Sequence, residues 1–323
     1  MKIAVTGANG FLGSNIANYF LDQGHEICAL MRMQGDAALI DPRVSIVKID
    51  YDDHQALQTA FADRDIVIHN AGKTRTLTFN QMIEANVTTT RAVLNAVNAC
   101  PGIKQFIFIS SQSASRPSLS GELITETDLP APVTWYGRSK LLAERMIQTH
   151  CAIAWTIIRP VPVYGGGDRD FLKLFKALKN GIDLQIGFKE RGVNMIYMTE
   201  LLDFVNLCID NPKAFREIFF ASDGKVYHQS QISTYIAHIM KIETIRIPLP
   251  DPLAKAIFHV GEILSRVRRK PTVVGVQKMK EVMAPNWTCS IDKAKRLLGW
   301  EPIPRLKENL LETYQWYQKH GWL

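Results

Sequence analysis

Eight residues near the start of the chain, Thr6-Gly7-Ala8-Asn9-Gly10-Phe11-Leu12-Gly13, constrain the fold more than any others. They follow the short apolar run Ile3–Thr6 and open a stretch with helical spacing, Phe11–Gln23. Glycine at 7 permits a tight turn. Glycine at 10 lets another group approach the main chain, and glycine at 13 lets the helix close onto the strand. A helix begun in this way offers free N–H groups and the positive end of its dipole, a natural seat for phosphate. Gly7, Asn9, Gly10, Phe11, Leu12 and Gly13 are therefore expected to cradle a pyrophosphate.

The pattern continues. Glu26–Met31, Ser45–Lys48, Asp65–His69, Gln105–Ile109 and Trp155–Arg159 read as buried strands. His54–Phe61, Gln81–Cys100 and Tyr136–His150 read as the helices between them. Such alternation predicts an α/β fold, a Rossmann doubly wound parallel sheet with helices on both faces. Residues 1–165 are expected to form the dinucleotide-binding domain, with the chain returning to it around 193–230. Residues 166–323 read mainly as a smaller C-terminal substrate-binding lobe. Its expected elements are helices over Phe171–Lys179, Leu253–Val267, Ile291–Leu298 and Leu306–Lys319, and short strands at Met195–Tyr197 and Glu217–Phe220.

Several function classes are set aside. Apolar residues make up 46% of the chain, enough for a substantial core. No apolar run is long enough for an integral membrane segment. Five scattered cysteines lack metal-ligand spacing, so no metal is expected, and the reading is of reduced thiols in a cytoplasmic protein. The net charge of +7 arises partly from Arg266, Arg268, Arg269 and Lys270. With no nucleic-acid motif beside them, these read as a solvated face, and the expected partner is a small-molecule substrate. Leu253–Val267 reads as a lid or a homodimer helix, ahead of a membrane-surface role.

The end of the second strand bears on the nucleotide. An Asp or Glu there would hold the ribose hydroxyl of NAD. This chain has Ala29-Leu30-Met31-Arg32, with no carboxylate before Asp36. Arg32 is suited to a 2′-phosphate, so NADP is expected, with NAD as the alternative.

Tyr136 and Lys140 are four residues apart at the start of a helix and so share one face. A free tyrosine, with a pKa of about 10, is a poor acid or base at neutral pH, and a nearby cation favours its ionised form. Together with TGANGFLG at 6–13, VIHNAG at 67–72, ISSQS at 109–113, YGRSK at 136–140, IRPVPVYG at 158–165 and LLGWEP at 297–302, the chain resembles the extended short-chain dehydrogenase/reductase superfamily, the NAD-dependent epimerase/dehydratase family.

The resemblance implies roles. Tyr136 would be the acid/base, and Lys140 would lower its pKa and hold the nicotinamide ribose. Ser111 would bond the reacting oxygen, and Asn86 would stand at a water-relay position. Ile49 and Asp50 would meet the adenine, and Asn70, Ala71 and Gly72 would run past the adenosine. Arg159, Pro160 and Val163 would line the nicotinamide side. His69 reads as strand-end packing. Trp135, Tyr164, Phe171 and Phe175 read as candidates for an apolar substrate wall, with one of the two phenylalanines assigned to core. Arg169, Lys173 and Arg191 read as surface charges in preference to substrate contacts.

Epimerase relatives usually have Asp where Met31 stands and an Asn-containing loop where Val161–Gly165 lies. Dehydratases usually have Asp-Glu where this chain has Gln112-Ser113. What remains is closer to dihydroflavonol-reductase and 3β-hydroxysteroid-dehydrogenase-like members. The expectation is an NAD(P)-dependent oxidoreductase moving hydride between cofactor and a carbonyl or secondary alcohol. The alternatives are a sugar-nucleotide epimerase or dehydratase with bound NAD, and a catalytically silent NADP(H)-sensing protein.

Overall fold

The structure is a computed structural model describing residues 1–119 and 121–323. The first half runs β1 (Lys2–Thr6), α1 (Phe11–Asp22), β2 (Glu26–Arg32), β3 (Ser45–Ile49), α2 (His54–Phe61), β4 (Ile66–His69), α3 (Phe79–Ile83), α4 (Thr89–Ala99), β5 (Gln105–Ile109), α5 (Trp135–His150) and β6 (Ala154–Pro160). Then come β7 (Val163–Tyr164), α6 (Arg169–Lys179), β8 (Ile182–Ile186), β9 (Gly192–Asn194), β10 (Ile196–Tyr197), α7 (Met198–Cys208), β11 (Glu217–Ala221) and β12 (Val226–His228). The chain closes with α8 (Gln229–Met240), β13 (Ile245–Leu249), α9 (Asp251–Arg268), α10 (Val276–Val282), α11 (Asp292–Leu298) and α12 (Leu306–Lys319).

Seven strands form one parallel sheet in the order β11-β6-β5-β4-β1-β2-β3. Helices cover both faces, so the strands are buried on both sides and read as continuous apolar runs. In β1, Ile3 and Val5 enter one core with Ile16, Phe20 and Phe204, while Ala4 enters the opposite core with Leu57, Val93 and Phe106. The strand order reverses at β1, which opens a crevice between the carboxyl ends of β1 and β4.

The last strand of the sheet, β11, pairs with β6 from Glu217↔Thr156 to Ala221↔Pro160. A third core, around Tyr164, Phe175, Tyr227, Ile232, Leu310 and Tyr317, belongs to the second half. It carries short paired strands, β8 with β13 in parallel and β9 with β12 antiparallel. The single helix expected over Gln81–Cys100 is interrupted: a π-turn over Glu84–Thr88 separates α3 from α4. Such insertions often mark functional positions, and this one contains Asn86.

Candidate active site

The phosphate loop has the geometry its glycines require. Gly7 has φ +67°, and a Cβ on it would lie 2.7 Å from the Ala71 Cα. A Cβ on Gly13 would lie 2.2 Å from the Gly7 carbonyl oxygen. Gly10 is crowded by nothing nearer than 3.5 Å and caps α1 without a side-chain hydrogen bond, which leaves the first-turn N–H groups available. The Thr6 hydroxyl ties this loop to the end of β4, accepting from the Asn70 and Ala71 N–H groups at 3.2 Å each. Uncapped donors, a main chain open at Gly10 and a flanking cleft fit a dinucleotide pyrophosphate.

The cleft is about 1570 Å³ and is walled at this end by Asn9, Gly10, Phe11, Leu12, Asn70 and Gly72. Ile49 and Asp50 stand at the neighbouring strand end and are not part of that wall. Asp50 is exposed, and its carboxylate accepts from the Asp52 N–H at 3.1 Å. Arg32 is exposed beside them, paired in register with Ile49. Two residues on this side have no part in the expected constellation. Tyr51 is buried and accepts from the Gly7 N–H at 3.2 Å, and Asp36 lines the cleft four residues beyond Arg32. Only their positions after strand ends mark them in the sequence.

The same cleft is lined by Ser111, Tyr136, Lys140, Pro160 and Val163, and a Cβ on Gly72 would lie 3.8 Å from the Lys140 Nζ. Ser111 follows β5, and its hydroxyl accepts from the Ser113 N–H at 3.1 Å. Tyr136 sits in the first turn of α5, capped by the Thr134 hydroxyl, which accepts from the Gly137 N–H at 3.0 Å. A Cβ on Gly137 would lie 2.0 Å from the Ser113 carbonyl oxygen. Glycine there lets α5 lie against the Ser111–Ser113 turn and so sets the phenol beside the serine. Ser110 and Ser113 line the cleft as well, but the Ser110 hydroxyl donates to the buried Glu144 carboxylate.

Burial governs the ionisation of the pair. It pushes the Tyr136 phenol up to about 12, with the Ser111 hydroxyl pulling the other way and the Glu281 carboxylate adding to the rise. It pulls Lys140 down to about 8, opposed by Glu144. Lys140 is not among the groups that set the phenol's ionisation in this arrangement. The ammonium donates to the Ile109 carbonyl at 2.8 Å and lies 4.5 Å over the Phe108 ring.

Asn86 is buried and bridges elements. Its amide donates to the Lys73 carbonyl at 3.0 Å and to the Ser139 hydroxyl at 2.8 Å, and its oxygen accepts from the Lys73 N–H at 2.7 Å. It therefore braces the Gly72–Lys73 loop against α5, one residue from Lys140. His69 is fully buried, within 2.7 Å of the Thr6 hydroxyl and 2.9 Å of the Thr90 hydroxyl, and burial lowers its pKa to about 3. It is a neutral packing residue.

One assignment is overturned. The Arg159 side chain does not line the nicotinamide side. It is 2% exposed and forms a two-pronged pair with Glu144, at 3.0 Å and 2.6 Å. A guanidinium this deep needs a buried carboxylate, and Glu144, one turn beyond Lys140, supplies it. Of the aromatic candidates, Trp135 and Phe171 line the cleft, whereas Tyr164 and Phe175 are buried in the third core. Arg169 and Arg191 reach the cleft wall, but Lys173 pairs with Asp170.

Known proteins share this frame. The chain is 27% identical over 99% of its length, and 96% of the relative's, to a ceramide reductase of Caulobacter vibrioides. It is 26% identical, over 97% of its own length and 94% of the relative's, to a UDP-glucose 4-epimerase of Vibrio cholerae. Among solved structures, a UDP-glucose 4-epimerase of Thermotoga maritima in complex with UDP-glucose superposes with a TM-score of 0.82. It covers 99% of this chain and 100% of that one at 19% identity. The NAD dependent epimerase/dehydratase family profile matches residues 3–186, a span containing the phosphate loop, Ser111, Tyr136 and Lys140. The chain therefore belongs to the NAD-dependent epimerase/dehydratase family and is an NAD(P)-dependent enzyme of the extended short-chain dehydrogenase/reductase type.

Proposed function

We propose that the chain reduces a carbonyl on a largely apolar small molecule, with NADPH as hydride donor and Tyr136 as proton donor. The observation that carries this reading is that Ser111, Tyr136 and Lys140 share one cleft with the open phosphate loop. The bound cofactor would supply hydride to the carbonyl carbon. Ser111 would hold the carbonyl oxygen, and Tyr136, protonated at neutral pH, would give that oxygen its proton. Lys140 would offset the charge left on the phenolate and hold the ribose. Asn86 would keep the Lys73 loop and α5 in register around them.

The substrate end supports an apolar ligand. Trp135, Phe171, Leu174, Leu184 and Ile186 line it. Of its cations, Arg75 is paired with Asp170, Arg191 with Asp251 and Lys278 with Glu281, while Lys73, Arg169 and Lys189 have no carboxylate within ion-pair distance among the described residues, so the epimerase reading keeps cations for a nucleotide diphosphate. The sugar-nucleotide epimerase reading draws on the Vibrio relative and would use the same tyrosine and lysine. Five separate buried cysteines support a reducing, cytoplasmic setting. A homodimer is tested by sedimentation.

The deciding experiment pairs Tyr136→Phe with the parent protein in a carbonyl screen read by NADPH oxidation. Turnover is expected to fall by roughly 10²–10⁴ while NADPH binding persists. Full turnover in Tyr136→Phe removes the mechanism. Interconversion of UDP-sugars with no net cofactor consumption gives the epimerase reading instead.

A further inference from the structure

A surface helix normally turns one apolar stripe inward. Helix α9 turns one stripe inward and presents a second outward. On the inner side Ala254, Phe258 and Ser265 are buried. Gly261 packs so closely on the segment before α10 that a Cβ would lie 2.0 Å from the Val274 carbonyl oxygen. Glu262 accepts from the Val276 N–H at 3.3 Å. About a third of the way round the helix, Leu253, Ile257, Val260, Leu264 and Val267 recur at alternating spacings of four and three. All five are exposed, Val260 at 55% and Val267 at 75%. The remaining side carries Lys255, His259 and Arg266, with the exposed Ile263 between it and the stripe.

Two neighbouring features extend this stripe. Phe188, 75% exposed, stands beside the start of α9, where the Gly187 N–H donates to the Leu249 carbonyl at 2.8 Å. At the far end come Arg266, Arg268, Arg269 and Lys270. Glu262 meets Arg266 at 3.3 Å, and among the described residues the other three have no carboxylate within ion-pair distance. The inner face of the same helix contributes Glu262 and Ser265 to the wall of the cleft that Leu184 and Ile186 also line.

We propose that α9 docks the protein, lying in plane, on an anionic phospholipid bilayer. An outward apolar stripe ending in a cation cluster matches a surface that offers acyl chains beneath anionic headgroups. No helix among the described residues is long and apolar enough to cross a membrane, so the contact is interfacial. A second copy of the chain is the rival occupant of the stripe, and the test below separates it from a bilayer. The docking stands apart from the hydride chemistry. Its purpose, delivering a membrane-held apolar substrate to Tyr136, rests on the reductase reading.

The test is flotation of the full chain with vesicles of equal parts phosphatidylcholine and phosphatidylglycerol, without substrate. Binding is expected at low salt, to weaken as salt rises, and to be absent on phosphatidylcholine alone. Val260→Asp combined with Leu264→Glu, and separately Arg268→Gln combined with Arg269→Gln and Lys270→Gln, should each lower partitioning at least about fivefold. His259→Gln, on the polar side, should leave it unchanged. NADPH binding by fluorescence should be the same in every variant, which separates lost docking from a lost enzyme. The proposal is overturned if the parent stays off anionic vesicles at low salt, or if Val260→Asp/Leu264→Glu binds them as well as the parent. A dimer dissociated by that double substitution, without vesicle binding, also overturns it and assigns the stripe to a second copy.

Discussion

The Lys140 ammonium donates to the Ile109 main-chain carbonyl at 2.8 Å, so the lysine of α5 is anchored to the end of β5, one residue before Ser110 and two before Ser111. The contact fixes the distance between the helix that carries the phenol and the strand that carries the hydroxyl. It also places a cation where burial opposes it. Lys140 titrates at about 8 in the fold against about 10.5 free. A lowered lysine pKa costs stability while the group is charged, so stability should rise with pH between about 8 and 10.5.

Lys140→Met should therefore stabilise the protein at pH 7, by up to about 3 kcal/mol at ~1.4 kcal/mol per pH unit, and should remove that rise. Activity and cofactor affinity should both fall. Thermal unfolding across pH, with NADPH titration, checks it. A less stable methionine variant would show that the bond to Ile109 outweighs the desolvation.

Gly137→Ala should separate folding from catalysis. The new methyl would meet the Ser113 carbonyl, part of the main chain, and α5 would have to move off the turn. Moving the phenol by even about 1 Å is expected to cost on the order of 10²-fold in kcat. Circular dichroism should still show a folded protein. Unchanged kcat in a folded variant would mean that the turn yields instead of the helix.

His69 should make the protein acid-sensitive. Its folded pKa of about 3 lies below the free value of 6.5, so its contribution is present above pH 6.5 and is lost as pH falls from there toward about 3. At pH 4, with over two pH units traversed, roughly 3 kcal/mol is lost. His69→Gln, which keeps hydrogen-bonding capacity toward Thr6 and Thr90, should flatten the acid limb of a pH–stability curve. An identical acid limb in that variant would assign acid unfolding to other groups.

Cofactor choice should turn on two residues outside the catalytic end. Arg32→Ala should weaken NADPH by about 1–3 kcal/mol, the worth of one charge-assisted contact, with little effect on NADH. Asp36 lines the cleft, whereas Arg32 stands outside its wall, and Asp36→Ala should weaken NADH more than NADPH. Fluorescence titration of both nucleotides against both variants reads this directly. Equal affinities in the parent, unmoved by Arg32→Ala, would leave the arginine as surface charge.

Much of this was open to reading along the chain. The phosphate loop, the strands of the first half and the Tyr136/Lys140 face depend on local spacing, and glycine sterics and helical periodicity are local properties. The ends of β5 and α2 fall where the apolar pattern ends. The second half was less legible because β8, β9, β12 and β13 are short and pair across long stretches of chain, as in Ile182↔Ile245. β8 and β13 alternate apolar and polar residues instead of running continuously apolar like β1 and β5, and β9 and β12 have only three residues each.

Which way a side chain faces was decided only by the tertiary structure. The family resemblance implies Arg159 beside the nicotinamide, but Glu144 draws it into the core, because a buried guanidinium is held by the carboxylate that neutralises it and not by its neighbours in sequence. Phe171 and Phe175 share a helical spacing, yet one reaches the cleft and the other a core completed by α8 and α12. The outward stripe of α9 reads in the sequence as one more amphipathic helix. Only the packing of Gly261 on Val274 settles which apolar stripe is covered, since burial depends on a partner that periodicity does not contain.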